Sequence, residues 1–172
     1  MATSSQSLRM IELQLLRHGK SDWPEGVIDH DRPLSERGAR DAARMGQYLR
    51  ENSGLPDIVI SSTALRARTT AEIFMTAAEL SRTELIVVEQ LYVTTHQKLL
   101  AEMALYERHE IVMAVGHNPV FENALISLAT HDLSLTENGK LMTTANLARI
   151  HLESGKIEIT RPRDIEASFN MP

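Results

Sequence analysis

Three short apolar runs in this chain each stop at residues able to handle an anion. Ile11-Glu12-Leu13-Gln14-Leu15-Leu16 leads into Arg17-His18-Gly19, and Ile58-Val59-Ile60 leads into Ser61-Ser62-Thr63-Ala64-Leu65-Arg66-Ala67. Ile111-Val112-Met113-Ala114-Val115 leads into Gly116-His117-Asn118-Pro119. Runs of this length, rich in Ile, Val and Leu and bounded by turn residues, read as buried strands. In an open α/β sheet the ligand crevice lies beyond the carboxyl ends of the strands, so residues far apart in sequence meet there. Two histidines and two arginines at such ends suit a phosphoryl group. Guanidinium presents a planar, permanently charged fork to phosphate oxygens, and a neutral imidazole can attack phosphorus.

The intervening segments alternate with the runs as helices. Ser35 is placed to cap a helix whose Ala39, Ala42, Ala43, Met45, Gly46 and Leu49 give a face of mostly small apolar residues, ended by Asn52-Ser53-Gly54-Leu55-Pro56. A second helix is expected over about 63–80, with Arg66 in its first turn and Arg68 on another face, solvated. Leu85-Ile86-Val87-Val88 forms a third strand, and 97–108 a third helix. After the fourth strand, Asn118 is a plausible cap and Pro119 occupies the favoured first helical position, with the helix reaching about Ala129. Segments 20–33 and 130–143 lack a period and read as loops, with Trp23 packing the first. Two final strands, 145–152 and 156–161, flank the short loop Glu153-Ser154-Gly155. The expected fold is a three-layer α/β/α sandwich with a mostly parallel central sheet and an antiparallel edge.

At 172 residues the chain fits one domain, assigned to residues 10–172, behind a flexible tail over 1–9 that lacks the apolar core of a secretory signal. A net charge of −5 argues against an extended nucleic-acid surface, and no apolar stretch approaches the ~18 residues of a membrane span. The absence of cysteine excludes disulfides and thiolate metal sites and is compatible with a cytoplasmic location. His30, His96, His109, His131 and His151 are scattered without metal-ligand spacing, and no Gly-rich phosphate loop is present, so neither metal nor cofactor is expected.

Arg17-His18-Gly19, Ser62-Thr63-Ala64-Leu65-Arg66-Ala67 and Gly116-His117, in that order, resemble the RHG, S-x-x-x-R-A and GH signature of the histidine phosphatase superfamily, the phosphoglycerate mutase-like proteins. The short length, Asp31-Arg32-Pro33-Leu34-Ser35-Glu36-Arg37-Gly38 and Gly116-His117-Asn118-Pro119 are more similar to its small SixA-type phosphohistidine phosphatases than to the mutases. The resemblance covers about residues 11–160. It implies that His18 is the nucleophile, phosphorylated during turnover, and that Arg17, Arg66 and His117 hold the phosphoryl oxygens. Neighbouring arginines would keep the imidazole neutral by disfavouring its charged form.

Around these four, Gly19 belongs to the triplet and is counted with the phosphate-binding residues. Ser62 either faces the anion from a helix N-terminus or caps the helix. Arg32 is placed to fold over the phosphate from the long loop, and Lys20 either biases substrate choice or is solvated. Larger members carry a glutamate acid shortly after the third strand. Here Glu89 is the nearest carboxylate, and a shifted register puts Gln90 there instead. A phosphohistidine substrate reduces the need for that acid, because its phosphoramidate bond breaks readily. The expected activity is therefore a metal-independent phosphatase acting on a phosphorylated protein such as a phosphotransfer domain. The rivals are a small phosphate ester as substrate, mutase chemistry, and a non-catalytic phosphate-binding module.

Overall fold

Helix and strand alternate along the chain because apolar residues recur first at every position, then at helical spacing. A computed structural model describes residues 9–169. The strands are β1 (Glu12–Arg17), β2 (Ile58–Ser62), β3 (Glu84–Val88), β4 (Ile111–Gly116), β5 (Leu147–His151) and β6 (Lys156–Thr160). The helices are α1 (Glu36–Asn52), α2 (Leu65–Ala77), α3 (His96–Ala104), α4 (Val120–Leu128) and α5 (Pro162–Phe169). They form one six-stranded sheet in the order β3-β2-β4-β1-β5-β6. β1 and β2 each pair in parallel with β4, β3 pairs in parallel with β2, and β5 is antiparallel to both β1 and β6. The mostly parallel sheet with an antiparallel edge is as expected.

Side chains alternate between the faces of this sheet, and both faces are covered. Leu13, Leu15, Ile58, Ile60, Val112 and Ala114 pack with α3 and α4 residues such as Leu99 and Phe121. Leu16, Val59, Met113 and Val115 pack on the other side against Met45, Leu49, Phe74 and Ile165 from α1, α2 and α5. Burial on two sides is why these strands read as continuous apolar runs instead of alternating ones.

The helix ends differ from expectation for identifiable reasons. Ser35 caps α1 as expected, its Oγ accepting from Gly38 N at 3.1 Å. α2 stops at Ala77, and Glu79 adopts a φ of 58°, outside helical geometry. α3 ends at Ala104 because Leu99 and Met103 are its buried residues, while Leu105 is 72% exposed and offers no face to bury. α5 was not expected. Its start at Pro162, with Asp164 in the first turn, is a helix-start signal that lay directly after the last strand. The tail expected over 1–9 lies outside the described residues except for Arg9. Among the described residues, no helix is long and apolar enough to cross a membrane.

Candidate active site

Sheet order brings the three strand ends together. β4 lies between β1 and β2, so Arg17 pairs with Gly116 in register and Ser61 with Val115. His18 and His117 therefore leave adjacent strands side by side, with ring centroids 5.1 Å apart. The backbone beyond β1 is fixed on both sides. His18 N donates to Gly116 O at 3.0 Å, Arg17 N donates to Asn146 O at 3.0 Å, and Ala145 N donates to the carbonyls of Arg17 and His18.

His18 is 9% exposed, and its Nδ1 lies 2.8 Å from Gly19 O. A carbonyl can only accept, so Nδ1 carries the hydrogen and the lone pair sits on Nε2. Burial is the largest cause that draws the His18 pKa down to about 4; the Gly19 carbonyl opposes it, while Arg66, Arg17 and Arg32 add to it. His18 is thus neutral at physiological pH, with a defined nucleophilic nitrogen. His117 is drawn lower still, to about 3, by burial first and then by His18 and Arg66. Its Nε2 lies 2.9 Å from Ser62 Oγ, and its Nδ1 is buried without a partner.

The arginines come from three elements. Arg17 is tied by Nη1 to Met142 O at 2.8 Å. Arg66, in the first turn of α2, is 6% exposed; its Nη1 donates to Asp29 O and its Nη2 to Asp29 Oδ2 at 3.0 Å. Arg32 reaches in from the 20–35 loop. It donates to Ser21 Oγ at 2.6 Å, Asp22 O at 3.1 Å and Asp29 Oδ1 at 3.1 Å, and its guanidinium stacks 3.3 Å from the Trp23 ring centroid. Trp23 packs the loop as expected, though from the solvent side.

Several expected roles change. Gly19 N donates to Thr70 Oγ1 at 3.0 Å and its carbonyl holds His18, so neither polar group is free to face an anion. Its glycine identity has a packing reason, since a Cβ there would lie 2.6 Å from Gly38 O. Ser62 is fully buried and accepts from Ala64 N at 3.3 Å; it orients His117 and ends the turn before α2. Asn118 does not cap α4. Its Nδ2 donates to Met142 O at 2.9 Å, and Pro119 takes the cap position without a side-chain bond. Glu89 is exposed in a single 3-10 turn over Glu89–Leu91, and its side chain makes no hydrogen bond or ion pair with the site among the described residues. Lys20 is exposed, its carbonyl serving Ser35. Arg68 is half-buried with its Nε unpartnered, so it is less solvated than expected.

Sequence reasoning missed Asp29, His30 and Tyr92. Asp29 accepts from Arg66, Arg32 and, at 2.9 Å, the Tyr92 hydroxyl. Burial raises its pKa, but these hydrogen bonds outweigh it and bring the carboxyl down to about 2. The Tyr92 pKa is raised, by burial and by Asp29. His30 bridges Asp31 at 2.8 Å and Thr63 at 3.1 Å and meets the Tyr92 ring edge-on. Tyr92 and His117 also line a cleft of about 190 Å³ with Leu91, Val93, Pro119 and Phe121. Among the described residues, no group of three or more His, Asp or Glu is arranged to hold a metal ion.

A neutral histidine beside arginines, at the carboxyl end of a parallel sheet, is an arrangement suited to an anion in an α/β protein. Comparison with known proteins places it in a family. The model of the histidine phosphatase superfamily (branch 1) matches residues 13–92. An uncharacterised Mycobacterium leprae protein is 32% identical over 118 residues, covering 66% of this chain and 70% of that protein. The chain belongs to the histidine phosphatase superfamily.

An uncharacterised Mycobacterium tuberculosis protein is 53% identical over 55 residues, or 32% of this chain; the match spans only 35% of that protein. A 2,3-bisphosphoglycerate-dependent phosphoglycerate mutase of Bifidobacterium longum is 44% identical over 73 residues, covering 40% of this chain and 29% of the mutase. Among solved structures, SixA from Agrobacterium tumefaciens superposes with a TM-score of 0.75 at 29% identity, over 83% of this chain and 92% of that one. The protein histidine phosphatase SixA in complex with tungstate superposes at 0.73 and 21% identity, over 90% and 99%, a likeness of fold. The chain is of the SixA-type branch.

Proposed function

We propose that this chain is a metal-independent phosphatase that removes the phosphoryl group of phosphohistidine from a protein partner, through a phosphohistidine of its own on His18. The observation that carries this reading is the His18 tautomer: Gly19 O holds the Nδ1 hydrogen, leaving Nε2 neutral and available beside Arg17 and Arg66. In the first step Nε2 attacks phosphorus. A nitrogen–phosphorus bond forms, the bond to the leaving group breaks, and the leaving imidazole keeps the electron pair and takes a proton from water. In the second step water attacks, a phosphorus–oxygen bond forms as the nitrogen–phosphorus bond breaks, the electron pair returns to Nε2, and the proton that the water loses neutralises the hydroxide left by the first step. Arg17, Arg66 and Arg32 meet the charge of the transferring group, work that elsewhere a divalent cation does.

Two features support the finer assignment. Asp29 is held ionised and Glu89 is exposed without a side-chain hydrogen bond to a site residue, so neither is fixed as a proton donor to an alkoxide. A phosphoramidate leaving group needs less help. The mouth is also apolar where a protein surface would sit, with Trp23 73%, Ile28 67% and Val93 84% exposed. Such exposed apolar groups fit a phosphotransfer domain better than a sugar acid. The absence of cysteine accords with work in the cytoplasm.

The test is intact-mass analysis at neutral quench, with a phosphorylated phosphotransfer domain as substrate, on wild type and His18→Ala. A transient phospho-adduct on wild type, absent from the variant, together with loss of at least ~10³ in kcat, is expected. Preferential turnover of 3-phosphoglycerate would transfer the assignment to mutase or phosphomonoesterase chemistry. Phosphate binding without turnover of any of these substrates would leave a binding module.

A further inference from the structure

A second cavity, of about 240 Å³, opens between α1, the 143–146 turn and the start of α5, and shares no side chain with the His18 site. We infer that it is a binding site for a small phosphate-class oxyanion. Four guanidiniums line it, Arg37 and Arg44 from α1 and Arg161 and Arg163 at the start of α5. Two carboxylates face them. Asp41 lies 3.5 Å from Arg37 and 3.3 Å from Arg44, and Asp164 lies 3.7 Å from Arg161 and 3.8 Å from Arg163. Each of these two carboxylates is shared between two guanidiniums.

The buried polar atoms point the same way. Asn146 lines the cavity at 0% exposure, its Oδ1 accepting from Thr143 Oγ1 at 3.0 Å and its Nδ2 without a partner. Arg161 Nε is likewise buried and unpartnered. Both are donors, so what the cavity lacks is an acceptor. Buried donors are normally satisfied, and an oxyanion supplies several acceptors at once. The first turn of α5 adds the positive end of a helix, and the Thr143 and Thr144 hydroxyls line the same wall. The volume falls below the ~300–1,000 Å³ that encloses drug-sized ligands, which limits the occupant to a small anion.

Inorganic pyrophosphate is the probe, titrated calorimetrically at low ionic strength into the full chain carrying Arg66→Ala, which disables the His18 site. One equivalent is expected to bind, and adding Arg161→Gln with Arg163→Gln is expected to weaken it by ~10-fold or more. Arg161 is largely buried, so Arg163→Glu and Arg37→Glu, at positions whose side chains are 61% and 74% exposed, provide variants that spare the core. Each should weaken binding with the thermal transition unchanged. Absence of binding in the Arg66→Ala protein, or binding indifferent to all four substitutions, would overturn the site.

Discussion

The two halves of the His18 site are built differently. Arg17, His18, Ser62 and His117 stand on strand ends whose register is fixed by β1, β4 and β2, and backbone bonds hold the chain on either side of the nucleophile. Asp29, His30 and Arg32 stand on a loop that touches the sheet layer through side chains: Arg66 to Asp29, His30 to Thr63, and Tyr92 to Asp29. The Asp29 side chain is 48% exposed, whereas that of Arg66 is 8% exposed. The sheet half places the reacting nitrogen; the loop half adds charge that can be gained or lost without disturbing the frame. Chemistry that tolerates no displacement sits on the rigid elements.

Arginine substitutions separate the halves most sharply. Arg66→Ala is expected to lower kcat/KM by ~10²–10³, the usual loss for one donor to a developing oxyanion. Arg66→Lys should recover little, because a single ammonium cannot make the forked contact. Arg32→Ala should cost about tenfold. Measuring kcat/KM for the three variants with one phosphohistidine protein checks this. Equal losses at both positions would mean that the loop is as much a part of the catalytic frame as α2.

Packing beneath the nucleophile gives the next contrast. In Gly19→Ala the new Cβ would meet the backbone oxygen of Gly38 at 2.6 Å, so α1 has to move away from the end of β1. Overpacking of this kind destabilises by ~1–3 kcal/mol. Denaturant unfolding should show that loss for Gly19→Ala, whereas a Cβ at Gly26 meets nothing, so the cost of Gly26→Ala is confined to the backbone strain of its φ of 76°. The comparison is cleanest when Gly26→Asn, which tolerates that φ, is the control.

What could be read beforehand follows the same division. The strand ends were legible because apolar runs bounded by turn residues mark them, and His and Arg at those ends have few bland explanations. The loop was not. Asp29, His30 and Tyr92 occur in stretches without a period, and only the fold brings Tyr92 to Asp29 across 63 positions. Glu89 drew attention as the nearest carboxylate in sequence, yet its neighbour Tyr92 is the residue that turns inward. α5 was missed because Pro162 follows β6 with a single residue between them, and Ile165 gives only a short apolar cue.

Mildly acid pH, above the range in which Asp29 titrates, probes the sheet half. With a folded pKa near 4 for His18 and near 3 for His117 against an ordinary 6.5, the unfolded chain binds more protons than the folded one between those values. Stability therefore rises with pH from about 4 to 6.5 and is flat above, as far as these two groups decide it. His18→Gln should flatten part of that slope in denaturant midpoints measured from pH 4 to 7. For catalysis, kcat/KM should rise through about pH 4 with no inflection near 6.5 attributable to the nucleophile. An inflection of wild-type kcat/KM near pH 6.5, or a stability slope that His18→Gln leaves unchanged, would contradict the burial of a neutral imidazole.

Asp29 tests the loop half with the smallest effect. Its carboxylate accepts from Arg66 and Arg32, two of the guanidiniums that a phosphoryl group would also engage, so an incoming anion has to share or displace it. Asp29→Asn keeps the shape and removes the charge. Inorganic phosphate should then inhibit at a concentration lower by a few-fold, about 1 kcal/mol or less. kcat should fall modestly, because Arg66 loses the partner that orients it. Tyr92→Phe removes only the hydroxyl to Asp29 and should leave phosphate inhibition unchanged, since the charge remains. If Asp29→Asn weakened phosphate inhibition instead, Asp29 would act mainly by aiming the arginines, and the loop would belong with the sheet as part of one frame.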